Sequence, residues 1–102
     1  MNWINPAVVA LQNYARLTHL TQDQKNLNQE VIELWENADA SRNNPRELIR
    51  LFGDGFAKYT LLPESFKKRT SVYAFNALME VGQIANQNKI RVDFDTTGAI
   101  FY

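Results

Sequence analysis

The chain has 102 residues, 45% hydrophobic and 22% charged, which suits one domain with its own core. It contains no cysteine, so disulfides, thiolate zinc sites and cysteine nucleophiles are excluded. No stretch approaches the roughly 20 apolar residues that a membrane span requires, and the first residues lack the basic start of a signal peptide. We therefore predict a single cytoplasmic domain over residues 1–102.

The net charge is zero, but the charges are unevenly distributed. Residues 1–41 contain two basic and five acidic residues, a net charge of −3. Residues 42–70 contain seven basic and three acidic residues, a net charge of +4, and residues 71–102 have a net charge of −1. Such a distribution can orient the protein against a charged partner. Alternatively, the two oppositely charged segments attract each other within the fold.

Two helix starts occur near the N-terminus. Asn5 can cap a helix and Pro6 suits the first helical position, which predicts a helix running to about His19. Thr21 followed by Gln24 matches a capping box and opens a second helix. The apolar residues of this second helix fall on one face: Leu27, Val31, Leu34, Trp35 and Ala38.

A third helix is predicted after the polar loop 40–44, because Asn44 and Pro45 repeat the start signal of the first helix. The segment Gly53-Asp54-Gly55 is predicted to interrupt or end this helix, since glycine costs about 1 kcal/mol per site in a helix interior. Apolar residues continue to the next break, at Pro63.

A final helix is predicted from about Pro63, or from Ser71 as a fresh cap, to about Asn88. Glu80 is its only charged residue after Ser71, and apolar residues occur on most of its sides. Such a helix is expected either to lie at the centre of the core or to pair with another surface.

The last residues change to the two-residue period of a β-strand. Ile90, Val92 and Phe94 alternate with polar residues, residues 95–98 have the composition of a turn, and residues 99–102 can return as a second strand. The predicted fold is therefore all-α: an antiparallel four-helix bundle whose C-terminal tail, residues 89–102, is extended or a β-hairpin.

Catalytic, cofactor-binding and metal sites are not predicted, and the chain is therefore not expected to be an enzyme. His19 is the only histidine and falls at a predicted helix end, where it suits the helix dipole. Glu30, Glu33 and Glu36 lack the histidines or further carboxylates that complete a metal site between helices, so they are predicted to face water. The Gly53-Asp54-Gly55 segment lacks the lysine and hydroxyl residue of a phosphate-binding loop.

Basic and aromatic residues alternate over residues 42–73. Arg46 and Arg50 share a helix face, and Lys67, Lys68 and Arg69 form a run. This combination can bind nucleic acid through phosphate contacts and base stacking, although such domains are usually basic overall. A small nucleic-acid-binding or viral structural module therefore remains an alternative. Another is an adaptor that self-associates through its nearly uncharged final helix.

Residues 78–85 (LMEVGQIA), followed by Asn88 and by Asp93-Phe94-Asp95, carry a family resemblance. This pattern resembles the pediocin-like (class IIa) bacteriocin immunity proteins, which have a Leu-x-x-(Val/Ile)-Gly-(Gln/Arg)-x-Ala stretch, then an Asn and an Asp-(Phe/Tyr)-x-Asp element. Residues 48–51 (LIRL) are loosely similar to a further run of that family. The resemblance is specific over about twenty residues and general elsewhere.

The resemblance implies a cytoplasmic four-helix bundle that protects a cell from a bacteriocin. Such proteins bind the bacteriocin-occupied mannose phosphotransferase permease from the cytosolic side, and their C-terminal part helps select the bacteriocin. No cofactor and no small-molecule substrate is implied. The chain is expected to be peripheral to a membrane at most, and to be a monomer or weak homodimer. The tail can form a recognition surface, can cover the open end of the helices, or both. The candidate partner-binding residues are basic, acidic and aromatic: Lys67, Lys68, Arg69, Arg91, Asp93, Phe94, Asp95, Phe101 and Tyr102.

Overall fold

A computed structural model of the chain describes residues 2–102, so Met1, the first residue of the predicted domain, lies outside the described residues. The protein is mostly helical, with 69% of its residues in four helices and a small antiparallel sheet of two strands at the C-terminus. The elements in chain order are α1 (Ile4–Ala15), α2 (Gln22–Ala40), α3 (Pro45–Tyr59), α4 (Glu64–Gln87), β1 (Val92–Asp95) and β2 (Gly98–Phe101).

The predicted starts of α2 and α3 are confirmed. The Thr21 hydroxyl accepts a hydrogen bond from the Gln24 N–H at 3.2 Å, and the Gln24 side chain accepts one from the Thr21 N–H at 2.9 Å, which is the complete capping box. At α3, the Asn44 side chain accepts from the Glu47 N–H at 3.3 Å and Pro45 is the first helical residue.

The predicted bounds of α1 are wrong at both ends. The helix begins at Ile4, before Asn5, and it is the Asn2 side chain that accepts a hydrogen bond from the Asn5 N–H at 3.2 Å. At the other end the helix stops at Ala15 instead of near His19. Short turns at the end of α1 direct the chain inward so that Leu20 is buried in the core.

The prediction that Gly53-Asp54-Gly55 interrupts or ends the third helix is also wrong, since α3 continues through all three residues. Packing explains the difference. A Cβ atom added at Gly55 would lie 2.5 Å from the Trp35 ring, so a glycine is needed for α2 and α3 to approach this closely. Packing of this kind overrides the weak helix propensity of glycine.

The final helix starts directly after Pro63 and runs without a break past Ser71, so the first of the two predicted starts is confirmed. Its buried face contains residues at helical spacing: Phe66, Thr70, Ala74, Ala77, Val81 and Ala85. The larger apolar residues Val72, Phe75 and Met79 lie on the opposite side and are exposed. α4 is therefore not enclosed by the core, so the first of the two expectations, a place at the centre, is wrong, and the second, pairing with another surface, stays a prediction.

The core is most tightly organised between α2 and α3. Trp35 is completely buried and stacks on Phe52 with ring centroids 4.9 Å apart. Its indole N–H donates a hydrogen bond to the Phe52 carbonyl at 3.1 Å, so the polar atom of the ring is satisfied. α1 packs against α2 and α4, and α4 also packs against α3. Within residues 2–102, no helix is long and apolar enough to cross a membrane.

The tail forms a β-hairpin that lies against α3. Val92 pairs with Phe101 and Asp95 pairs with Gly98. β1 begins at Val92, two residues later than the alternation from Ile90 predicts, because Ile90 still donates its N–H to the Ala85 carbonyl at the end of α4. Val92 and Phe94 are half-buried, whereas the alternating acidic residues of β1 are exposed.

Candidate interaction surface

A close backbone contact at Gly53 holds the hairpin against α3. A Cβ atom at this position would lie 2.7 Å from the Ala99 backbone nitrogen and 3.0 Å from the Phe94 ring. The Phe94 ring also meets Phe52 edge-on, with centroids 6.4 Å apart. Phe94, a predicted partner-binding residue, is therefore half-buried and contributes to attachment of the hairpin.

Phe101 has a similar role at the open end of the hairpin. The guanidinium carbon of Arg46 lies 4.9 Å from the centroid of its ring, a cation–π contact between α3 and β2. Such contacts contribute about 0.5–1 kcal/mol at exposed sites. The side chain of Phe101 is half-buried, so only part of it is accessible to a partner.

The hairpin turn is fixed by Asp95. Its carboxylate accepts hydrogen bonds from the Thr97 hydroxyl at 2.6 Å and from the Thr97 N–H at 2.8 Å. These bonds lower the pKa of Asp95 below its ordinary value, and the bond from the Thr97 hydroxyl has the larger effect. Gly98 follows with a φ of 118°, and a Cβ there would lie 2.7 Å from an Asp54 carboxylate oxygen. Asp95 therefore shapes the turn, and Gly98 is favoured by its positive φ.

The open end of the hairpin presents polar groups to solvent. The Tyr102 hydroxyl donates a hydrogen bond to the Asp93 carboxylate at 3.1 Å, and this bond, together with the charge of Asp93, raises the pKa of Tyr102. Arg91 is exposed, and its carbonyl accepts the Tyr102 N–H at 3.0 Å. Three of the predicted partner-binding residues are thus adjacent and accessible here.

An open depression of about 370 Å³ lies between α4 and β1. We call it the α4 groove; it is lined by Gly82, Ala85 and Asn86 on one side and by residues 90–94 and Tyr102 on the other. No atom lies within 4 Å of the position that a Cβ of Gly82 would occupy. The backbone of α4 is therefore accessible at Gly82, and another chain can approach it closely.

The basic run occupies the other half of α4. Lys67 donates to the Thr60 carbonyl at 2.8 Å and pairs with Glu64 at 2.9 Å, whereas Lys68 and Arg69 are exposed. Lys68 precedes Gly82 by 14 residues, or about 21 Å along the helix. The predicted site residues therefore form two separate groups, one on the hairpin and one on the first turns of α4.

An exposed apolar stripe on α4 lies between these groups. The exposed fractions are 61% for Val72, 52% for Phe75 and 64% for Met79. The rings of Phe75 and Phe56 of α3 meet in a T-shaped arrangement, with their centroids 5.8 Å apart. Phe75 also lines a second depression of about 490 Å³, together with Lys67 and Lys68. The i, i+3, i+7 spacing is visible in the sequence, which leaves open whether these residues lie in the core or pair with another surface.

Sequence reasoning also missed the role of Glu80. This carboxylate is buried and accepts hydrogen bonds from the Trp3 N–H at 2.7 Å and from the Arg42 guanidinium at 2.9 Å. The bond to Glu80 is the main reason why the pKa of Arg42 is raised, with a further contribution from Asp39. Glu80 thereby connects the start of α1, the α2–α3 loop and α4. A single charge among the otherwise uncharged residues 71–87 of the helix was the available signal.

Residues 2–102 contain no group of three or more His, Asp or Glu side chains placed to hold a metal ion. Glu30, Glu33 and Glu36 are exposed, with Glu30 3.5 Å from Lys58, and His19 lies in the exposed α1–α2 connection.

The basic and aromatic residues that suggested a nucleic-acid surface are dispersed. Arg50 is paired with Glu47 and Asp54, and Lys58 is paired with Glu30. The rings of Tyr59 and Phe66 are buried, so they cannot stack on bases in the folded protein. The exposed basic residues of this set with no ion pair within residues 2–102 are Arg46 on α3 and Lys68 and Arg69 on α4.

Searches of protein-family models, curated proteins and solved structures find no match for this chain.

Proposed function

We propose that this chain is a bacteriocin immunity protein of the pediocin-like class, which binds the bacteriocin-occupied mannose phosphotransferase permease from the cytosolic side. One observation carries the proposal: residues of the family-like pattern that are far apart in sequence line the same surface feature. Gly82 and Ala85 from its helical part, and Asp93 and Phe94 from its tail part, all line the α4 groove.

The chemistry of the α4 groove suits a protein ligand. Ile90, Val92 and Phe94 supply apolar area, while Arg91, Asp93 and Tyr102 supply polar groups at its edge. Protein interfaces commonly combine an apolar centre, where aromatic anchors are buried, with a polar rim. Because Gly82 leaves the helix backbone uncovered, a side chain of a partner can enter the groove without displacing any atom of α4.

The same proposal includes an antiparallel four-helix bundle in the cytoplasm. Its support is that each helix packs against its neighbours in sequence and that α1 also packs against α4, as expected around a four-membered ring of helices. The hairpin would then be an attachment to one side of that bundle, held through α3.

Expression in a sensitive lactic acid bacterium, followed by challenge with a panel of pediocin-like bacteriocins, tests the proposal. We expect raised resistance to at least one bacteriocin and loss of that resistance in Gly82→Arg, because the new side chain would fill the α4 groove. The matched control is Gln83→Arg, which adds the same charge to a neighbouring exposed residue that does not line the groove, at a position where the family accepts arginine.

Unchanged sensitivity to every bacteriocin, with the protein shown to be folded and expressed, would reject the immunity proposal. Equal loss of resistance in Gly82→Arg and Gln83→Arg would leave immunity in place but remove the groove from it.

Self-association is a second candidate, favoured by the exposed stripe of Val72, Phe75 and Met79. Residues 71–88 contain one charged side chain, Glu80, and it is buried, so two copies of this face can meet without charge repulsion. Sedimentation at several concentrations distinguishes the candidates. A dimer that persists on dilution and dissociates in Met79→Lys would support self-association, whereas a monomer at all concentrations would exclude it.

A further inference from the structure

One end of the molecule brings together the two helix connections 16–21 and 60–63. Tyr14, near the end of α1, contacts Tyr73 of α4 with ring centroids 6.4 Å apart, while the start of α1 reaches Glu80. Tyr59, at the end of α3, shares a hydrogen bond with Thr70 at 2.8 Å. The ends of α1 and α3 therefore lie beside the first turns of α4. We call this region, residues 16–25 and 60–69, the basic end.

The basic end has an excess of positive charge. It contains five basic residues and two acidic residues, Asp23 and Glu64, a net charge of +3. Four of the cations form no ion pair within residues 2–102. These four are Arg16, Lys25, Lys68 and Arg69. The rest of the neutral chain has a net charge of −3, so the positive charge is concentrated in the basic end.

The side chains on α4 are directed toward this end. Cα–Cβ bonds in a helix tilt toward its N-terminus, and long lysine and arginine chains can extend several ångströms further. Lys68 and Arg69 lie only four and five residues after Glu64, the first residue of α4. Their charged groups can therefore reach the level of the α3–α4 connection.

Two exposed leucines accompany the cations. Leu17 is 65% exposed in the α1–α2 connection and Leu61 is 72% exposed in the α3–α4 connection. Nothing in the fold requires large aliphatic side chains here, because the core contacts of the connections are made by Leu20 and Leu62, which are buried. Each leucine thus presents apolar area to solvent. Leu17 lines an open depression with Arg16 and Lys25, and Leu61 lines another with Leu34 and Lys58.

We propose that the basic end docks on an anionic lipid bilayer surface. Basic residues near such a surface are attracted to acidic headgroups, each by roughly 1 kcal/mol. The leucines would enter the boundary between headgroups and acyl chains, where aliphatic groups are favourable. The start of α1, which reaches Glu80 on α4, would then be directed away from the membrane.

The composition of the basic end favours a bilayer over nucleic acid. Bases are bound by stacking on aromatic rings, but residues 16–25 and 60–69 expose no Phe, Tyr or Trp ring: Phe66 is buried, and the exposed residues Leu17 and Leu61 are aliphatic. The nearest exposed rings, Tyr73 and Phe75, lie further along α4. A bilayer also requires no shaped cavity, and two leucines on separate connections can contact one flat surface at the same time. This inference does not rest on the proposed immunity function.

Sedimentation with lipid vesicles tests the proposal. We expect the full chain to sediment at low salt with vesicles of phosphatidylcholine and phosphatidylglycerol, but not with phosphatidylcholine alone. Lys68→Gln combined with Arg69→Gln should reduce binding by at least about tenfold. The matched control, Arg50→Gln combined with Lys89→Gln, removes the same charge from exposed residues outside the basic end and should bind like the wild type.

The leucines are tested separately. Leu17→Ser combined with Leu61→Ser should reduce vesicle binding, whereas Val9→Ser combined with Met79→Ser, at exposed positions on the sides of the molecule, should not. Circular dichroism establishes that each variant is folded. Absence of binding to anionic vesicles, or equal losses in the test and control variants, would overturn the proposal. Binding of a single-stranded oligonucleotide that is unaffected by the leucine changes, without vesicle binding, would overturn it in favour of nucleic acid.

Discussion

Glycines in two helices have opposite surroundings in this protein. In α3, a Cβ at Gly55 would lie 2.5 Å from the Trp35 ring, and one at Gly53 would lie 2.7 Å from the backbone of Ala99. In α4, a Cβ at Gly82 would meet no atom within 4 Å. All three are helical, and each costs roughly the same helix propensity, about 1 kcal/mol relative to alanine.

This difference separates a structural glycine from one that the fold does not need. The α3 glycines permit close approach of α2 on one side and of the hairpin on the other, so packing offsets their cost. Gly82 has no such compensation within the chain. The comparison therefore shows that α3 is packed closely on two sides, against α2 and against the hairpin. In contrast, α4 has an accessible backbone at the groove where a partner is proposed to bind.

The largest expected effect concerns the aromatic centre beside Gly55. Trp35→Ala should lower the free energy of unfolding by about 3–5 kcal/mol, because it removes a completely buried ring and leaves a cavity. Denaturant unfolding followed by circular dichroism measures the loss. The control is Trp3→Ala, where the ring is 37% exposed and the loss should be much smaller. Equal losses at the two positions would contradict the central role assigned to α3.

The next effect tests whether α4 is fixed on its inner side even though its outer side is open. Arg42→Met should lower the free energy of unfolding by about 2 kcal/mol, because the buried Glu80 carboxylate would lose its charged partner. Arg50→Met is the matched control; Arg50 pairs with Glu47 and Asp54 at exposed positions, where ion pairs contribute at most about 1 kcal/mol. A larger loss in Arg50→Met would show that Glu80 is not the connection described above.

A change at Gly53 tests the attachment of the hairpin. Gly53→Ala should lower the free energy of unfolding by about 1–3 kcal/mol, because the methyl group would collide with the Ala99 backbone, which cannot move aside without breaking the hairpin contact. Hydrogen exchange should show faster exchange of the β1 and β2 amides than in the wild type. Unchanged stability and exchange would mean that the hairpin is not held at this point.

The corresponding change at Gly82 should have the opposite sign. Gly82→Ala should raise the free energy of unfolding by about 1 kcal/mol, since alanine is the better helix former and the added methyl group has free space. Paired with Gly53→Ala, it is the same substitution in two helices of one protein. A loss of stability in Gly82→Ala would remove the distinction between the two glycines.

Much of the fold was predictable because it depends on local signals. The capping box at Thr21, the Asn44-Pro45 start of α3 and the two-residue period of the tail each depend on neighbouring residues, and each has its counterpart in the structure. The error at Gly53-Asp54-Gly55 has a different origin. Whether a glycine ends a helix or admits a neighbouring element depends on contacts with Trp35 and Ala99, which are distant in sequence.

The candidate site was predictable only in part, for the same reason. The sequence indicated Arg91, Asp93 and Tyr102, which are accessible, but it did not distinguish them from Phe94 and Phe101, which pack on α3. The sequence could not decide whether the apolar residues of α4 lie in the core or are exposed, because their helical spacing is the same in both cases. The face toward which a periodic pattern is directed is decided by the other helices.

The smallest expected effect concerns the turn of the hairpin, which packs against α3 at Gly53. The pKa of Asp95 is lower in the folded protein than in the unfolded chain, where it is about 3.9, because the folded carboxylate accepts the Thr97 hydrogen bonds. The stabilisation is therefore complete above the unfolded pKa and is lost as the pH falls through the folded pKa. Unfolding of the wild type and Asp95→Ala should differ slightly at neutral pH and converge in acid, and Thr97→Ala should lose part of the same difference. A difference that is constant with pH would show that the turn does not depend on the charged carboxylate.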